Sequence, residues 1–89
     1  MYLGIVIGSV VATRKDEDLV GKKLLLVEKV KPNGELQDSV EVAVDSVGAG
    51  KGEYVIVTNG RPAGFVFDSS DSMIDAAIVA IVDSVEVSG

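Results

Sequence analysis

Hydrophobic and polar positions divide this chain into short, mostly β-branched runs separated by glycine-, proline- or charge-rich breaks. Tyr2 to Thr13 is apolar on both faces and interrupted by Gly4 and Gly8; glycine inside a strand points to a bend or a close backbone approach. Arg14 to Lys22 is a charged loop. Lys23 to Val30 is a second strand: its leucines favour helix slightly, but eight residues just before Pro32 are short for one. Pro32-Asn33-Gly34 is a strong turn signal and predicts a hairpin. Ser39 to Asp45 alternates, with Val40, Val42 and Val44 on one side and Glu41, Ala43 and Asp45 on the other, the pattern of a half-buried strand. Glu53 to Thr58 is a fourth strand, ended by Asn59-Gly60.

The remainder is less regular. Gly60 to Gly64 predicts a turn or a short helical turn, and Asp68 to Ser72 a solvated polar loop. Asp68, Ser70 and Ser72 have the spacing of calcium ligands, but the glycine after the third ligand and the distal bidentate glutamate are missing. Ala76 to Val87 is the last strand. Asp71 or Ser72 could cap a helix there, yet Ile78, Val79, Ile81, Val82, Val85 and Val87 are β-branched and alternate through Asp83. Five strands without internal repeats or a long linker predict a single domain over residues 1–89. The fold class is all-β, a small OB-like barrel with at most one short helix. An OB barrel is only partly closed, so an edge is left for a neighbour to cover.

Composition narrows the chemistry. Among 89 residues there is no Cys, His or Trp, which removes disulfides, thiolate or imidazole metal ligands and the commonest nucleophile–base pairs. No cofactor and no metal are expected. The formal charge of −6 repels a phosphate backbone, so neither nucleic acid nor an anionic membrane is an expected partner. Tyr2, Tyr54, Phe65 and Phe67 are the only rings that could stack on bases, and two of them lie in the irregular segment. Apolar stretches are too short to span a bilayer, and Met1 to Thr13 lacks the basic start and cleavage-type end of a signal peptide. A soluble, cytosolic protein is expected. The chain is 47% hydrophobic, nearly all of it aliphatic, in a domain small enough that its own core cannot hide so much apolar surface. Association is the usual outlet.

The densest signal is Val47-Gly48-Ala49-Gly50-Lys51-Gly52-Glu53, three glycines within five residues between two strands. Such density predicts positive φ or close backbone approach, and it makes Gly50→Val disruptive on that ground. It is not a phosphate cradle. A Walker loop would need Gly at 45 and Ser or Thr at 52, where Asp45 and Gly52 stand; the dinucleotide pattern fails at Glu53. A strand–loop–strand setting also lacks the helix N-terminus on which both rely. Asp45, Asp75 and Asp83 are the carboxylates best placed for acid–base work, but accepting backbone N–H groups at turns is the expected role. Arg14, Lys15, Lys22 and Lys23 form a basic cluster beside Asp16, Glu17 and Asp18, read as a solvated or intersubunit surface.

Four segments in fixed order carry a resemblance that covers almost the whole chain. They are Gly8-Ser9-Val10-Val11-Ala12-Thr13-Arg14-Lys15, then Leu19 to Val27, then Val42 to Val55 with the glycine loop, and Asp75 to Asp83. Together they resemble the EutN/CcmL family of bacterial microcompartment vertex proteins. The resemblance implies an OB-like barrel assembling as a homopentamer that caps the vertices of a polyhedral shell, in the bacterial cytoplasm and without catalysis. It implies hexameric and trimeric shell proteins of the same compartment as partners. Carried onto this sequence, it places Asp45, Gly48, Ala49, Gly50, Gly52 and Glu53 at the contact between subunits. One stretch departs from the pattern: where the family commonly has a Gly-Ser-Ser-Ala-Arg-like segment, this chain reads Gly60-Arg61-Pro62-Ala63-Gly64-Phe65-Val66-Phe67. That departure puts the family's short helix in doubt. An OB-type binding module and a small carboxylate enzyme are the rival expectations.

Overall fold

A computed structural model describes residues 1–67 and 73–88; the calcium-like set at Asp68, Ser70 and Ser72 lies outside the described residues. Strands β1 (Tyr2–Val10), β2 (Leu24–Val30), β3 (Leu36–Asp45), β4 (Tyr54–Asn59) and β5 (Ala76–Val82) close a barrel in the order β1-β2-β3-β5-β4. A 3-10 turn (Glu17–Leu19) and one short helix, α1 (Arg61–Phe65), complete it. All pairs are antiparallel except β3 with β5, which meet in parallel only at Val44↔Ala77 and Asp45↔Ile78.

A five-stranded barrel is narrow, so small and medium side chains must fill it. Val6, Leu25, Val27, Ala43, Val55, Val57, Ala76 and Ile78 do so, with Ala49 of the glycine loop joining them. Gly4 shows why a strand tolerates glycine here. A Cβ at that position would collide with the Val27 side chain and stand 3.0 Å from the Glu28 carbonyl oxygen. The β1–β2 register slips between Val6 and Gly8, a bulge of the kind that bends a strand round a barrel.

A second apolar cluster lies outside the barrel wall. Leu24, Val44 and Ala77 are covered there by Ala63 of α1 and by Ile74, with Val10, Leu19 and Phe67 packed against them. Helix α1 therefore exists despite the departure from the family pattern. Pro62 in its first turn supplies a preset φ, and Gly60 before it takes φ 69°. Gly60 donates to the Asp75 carbonyl at 2.8 Å, tying the start of the helix to the start of β5.

Three expectations need correction. The third strand begins at Leu36, not Ser39, because the hairpin turn is tight: Gly34 (φ 87°) donates to Lys31 at 2.8 Å and Lys31 to Glu35 at 2.9 Å. The fifth strand stops at Val82, and 83–88 run on without a strand partner among the described residues. On β3 the sides are reversed. Ala43 is fully buried in the barrel with Glu41 on the same inward side, whereas Val40 and Val42 face outward, 52% and 46% exposed. Only Val44 of the three valines is covered, by the outer cluster.

Candidate functional site

The glycine loop between β3 and β4 is built around the Asp45 carboxylate. Its two oxygens accept three backbone N–H groups, from Val47 at 3.1 Å, Gly48 at 2.9 Å and Ala49 at 3.1 Å. A carboxylate at the end of a strand thereby curls the chain back on itself. Glu53 does the same from the other side, accepting from Gly50 N–H at 2.7 Å. Gly52 N–H donates to the Val6 carbonyl at 2.8 Å and Val6 N–H to the Glu53 carbonyl at 3.0 Å, joining the loop to β1. Lys23 Nζ donates to the Ala49 carbonyl at 3.0 Å and Ser46 Oγ to the Ile78 carbonyl at 2.7 Å.

These bonds give the loop two sides. Ala49, 0% exposed, is inserted into the open end of its own barrel. Its methyl group is thus packed into the core of its own subunit, where it anchors the loop. Gly48, Lys51, Gly52 and Glu53 face outward. The strain argument also moves. Gly48 (φ 79°) and Gly52 (φ 90°) are left-handed, whereas Gly50 is not, and a Cβ on Gly50 would meet only Glu53 Oε1 at an ordinary 3.5 Å. The reason given for Gly50→Val therefore belongs to Gly48 and Gly52.

The amides that a phosphate would need are already bound by the carboxylates of Asp45 and Glu53, which would also repel it. The other end of the barrel is closed by a polar cluster that the sequence did not announce. Tyr2 Oη donates to Glu41 Oε1 at 2.7 Å, and Asn59 Nδ2 donates to the same oxygen at 3.0 Å. Lys29 Nζ stands 4.7 Å from the Tyr2 ring centre. Burial, the hydrogen bond to Glu41 and the Glu41 charge together push the Tyr2 phenol well above its ordinary range. Glu41 sat in the polar phase of the valine alternation and gave no signal of its own; its partners lie on strands distant in sequence.

Tyr2 is consumed by this cluster, so the rings left for stacking are the partly exposed Tyr54 and Phe65, with Phe67 packed on the outer cluster under Lys22 Nζ at 5.5 Å. Lys15 Nζ is turned back onto the Ala12 carbonyl, and Asp18 accepts from Met73 N–H at 3.1 Å, so the charged 14–22 loop folds onto the barrel. Among the described residues no cluster of acidic side chains is arranged to hold a metal ion. No helix of the described residues is long and apolar enough to cross a membrane.

What the surface offers instead is apolar area. Ile7, Val40, Val42, Tyr54, Ile81 and Val85 are all exposed by a third or more, and a groove of about 260 Å³ runs between Leu3, Pro32, Tyr54, Val82 and Val85. Patches of this kind mark protein contacts.

Known proteins resemble this chain over nearly its whole length. The family model described as "Ethanolamine utilisation protein EutN/carboxysome" matches residues 1–83. The chain is 51% identical over 88 residues to the bacterial microcompartment shell vertex protein PduN of Salmonella typhimurium, covering 94% of this chain and 97% of that one. It is 41% identical over 85 residues to the carboxysome shell vertex protein CcmL of Thermosynechococcus vestitus, covering 96% and 86%. The solved structure of the GrpN pentameric microcompartment shell protein from Rhodospirillum rubrum superposes with a TM-score of 0.90 at 49% identity, over 100% of both chains.

Proposed function

Because the chain belongs to the EutN/CcmL family, we propose that it is a structural shell-vertex protein whose copies close into a five-membered ring at the corners of a bacterial microcompartment. The likeness to a pentameric shell protein over the whole of both chains carries this reading. Physical argument leads to the same place. A flat sheet of six-fold units closes into a polyhedron only by admitting five-fold corners, and a head-to-tail contact whose rotation closes makes such a ring. A barrel of this size with Val40, Val42 and Tyr54 uncovered has apolar surface to bury in that contact.

In this reading the shell's hexameric and trimeric proteins surround the ring, the site of action is the cytoplasmic shell, and no reaction is catalysed. The outward side of the glycine loop, at Gly48, Gly50, Gly52 and Glu53, meets the next subunit, while Asp45 and Ala49 hold it in shape from within. The negative charge supports a partner that is protein, not nucleic acid. Light scattering after size exclusion tests the assembly: a mass about five times the 9.2 kDa of one chain is expected, and a monomer at micromolar concentration refutes it. Co-expression with six-fold shell proteins tests the vertex role. Closed particles with this chain and only open or elongated ones without it are expected.

A further inference from the structure

Residues 84–88 read as strand and find none. Val85 and Val87 alternate with Ser84, Glu86 and Ser88, yet the ladder to β4 ends at Val82 and everything beyond it is exposed. The molecule is drawn out to 44 Å along one axis against 24 and 21 Å on the others. A β-branched, alternating segment without a partner is a local preference left unanswered by its own barrel.

An unanswered acceptor exists on the same chain. β3 is paired with β2 along its length, but on its other side it meets β5 only at Val44 and Asp45. On that second side, Leu36 to Ala43 has no described strand beside it. Asp38, at φ 51°, kinks the early part of that edge, as protected edges often are. Among the described residues no strand pairs with Ser39 to Ala43 on that side, and this stretch bears the two uncovered valines Val40 and Val42, the latter beside Met73 and Ile74.

A ring needs two different surfaces on each subunit, one to give and one to receive. Resting on the pentameric reading above, we infer that the C-terminal segment 84–88 of one subunit adds as a strand along the Ser39–Ala43 edge of the next copy. Main-chain hydrogen bonds would supply the affinity of such strand addition. Placing Val85 and Val87 beside Val40 and Val42 buries β-branched pairs on the outer face. The occupant is a second copy of this chain, because only a second copy supplies the same donor and acceptor to every member of a closed ring.

The chain contains no cysteine, so disulfide trapping reads this contact without background. Val40→Cys/Val87→Cys and Val42→Cys/Val85→Cys double variants, oxidised and run without reductant, are expected to give covalent multimers up to five subunits that collapse on reduction. A disulfide confined within single chains, or none in either variant while the fivefold mass persists, overturns the inference. As a second measurement, a chain ending at Asp83, with far-ultraviolet circular dichroism unchanged, is expected to need at least tenfold higher concentration to assemble; assembly as tight as that of the full chain overturns it. A full-length chain that is monomeric by light scattering sinks the pentamer itself, an outcome separate from an intact ring with an idle tail.

Discussion

Gly48 and Gly52 differ from Gly50 in a way that residue type alone conceals. The first two hold left-handed backbone with open space around them, so the cost of a side chain there is conformational. Gly48→Ala and Gly52→Ala are each expected to destabilise by about 1–2 kcal/mol, and Gly50→Ala by less than about 0.5 kcal/mol, measured by urea unfolding. Asp45 acts on the same loop through three amides; Asp45→Ala removes a charged acceptor from all of them and is expected to cost about 2–3 kcal/mol. At the far end of the barrel, Tyr2 has a pKa raised above its ordinary 10.0 in the folded state. The sign follows: the folded chain holds that proton more tightly, so the contribution is complete below pH 10 and is lost as the pH rises above it. Unfolding free energies of the parent chain and Tyr2→Phe, followed from pH 8 upward, are expected to differ by a constant amount at first. The gap then narrows above pH 10.

Elements were legible where the signal was local. The Pro32-Asn33-Gly34 turn, the β-branched runs and the strand-breaking Asn59-Gly60 are decided by the backbone preferences of those residues. The face each strand presents was not. Alternation at Val40, Val42 and Val44 gives the period, but which side enters the barrel depends on how much room five strands leave. That room is largely filled by Val6, Leu25, Val27, Val55, Val57 and Ile78, so on β3 the small Ala43 takes the inward place and Val40 and Val42 face outward. Helix α1 was readable as a turn or a short helical turn and no more definitely, because what holds it is the outer cluster formed with Leu24, Val44 and Ala77. Of the candidate site, Asp45 as an acceptor of turn amides was readable; the plugging role of Ala49 was not, since it depends on where the barrel ends. Ile74→Ala is therefore expected to cost about 2–4 kcal/mol, as it uncovers this outer cluster.

At the scale of the whole molecule, stability and assembly separate by position. Val42 is uncovered in the subunit and Val44 is not, though they lie two residues apart. Val44→Asp is expected to unfold the barrel. Val42→Asp is expected to leave it folded, by circular dichroism, and to weaken the ring at least about tenfold, some 1.4 kcal/mol. Charge acts on the same equilibrium: each copy adds −6, and bringing such copies together costs electrostatic work that ions screen. Raising salt from about 10 to 150 mM, over which the Debye length shortens from about 30 to 8 Å, is expected to tighten assembly as measured by dilution.

The filled interior has a consequence for traffic. With Val6, Val27, Val55, Val57 and Ile78 at 0–1% exposure, Ala49 stoppering one mouth and the Tyr2–Glu41–Asn59 cluster across the other, no solute can thread an individual subunit. In the ring proposed above, any passage therefore runs between subunits and not through one. Its width is then a property of how they lean together.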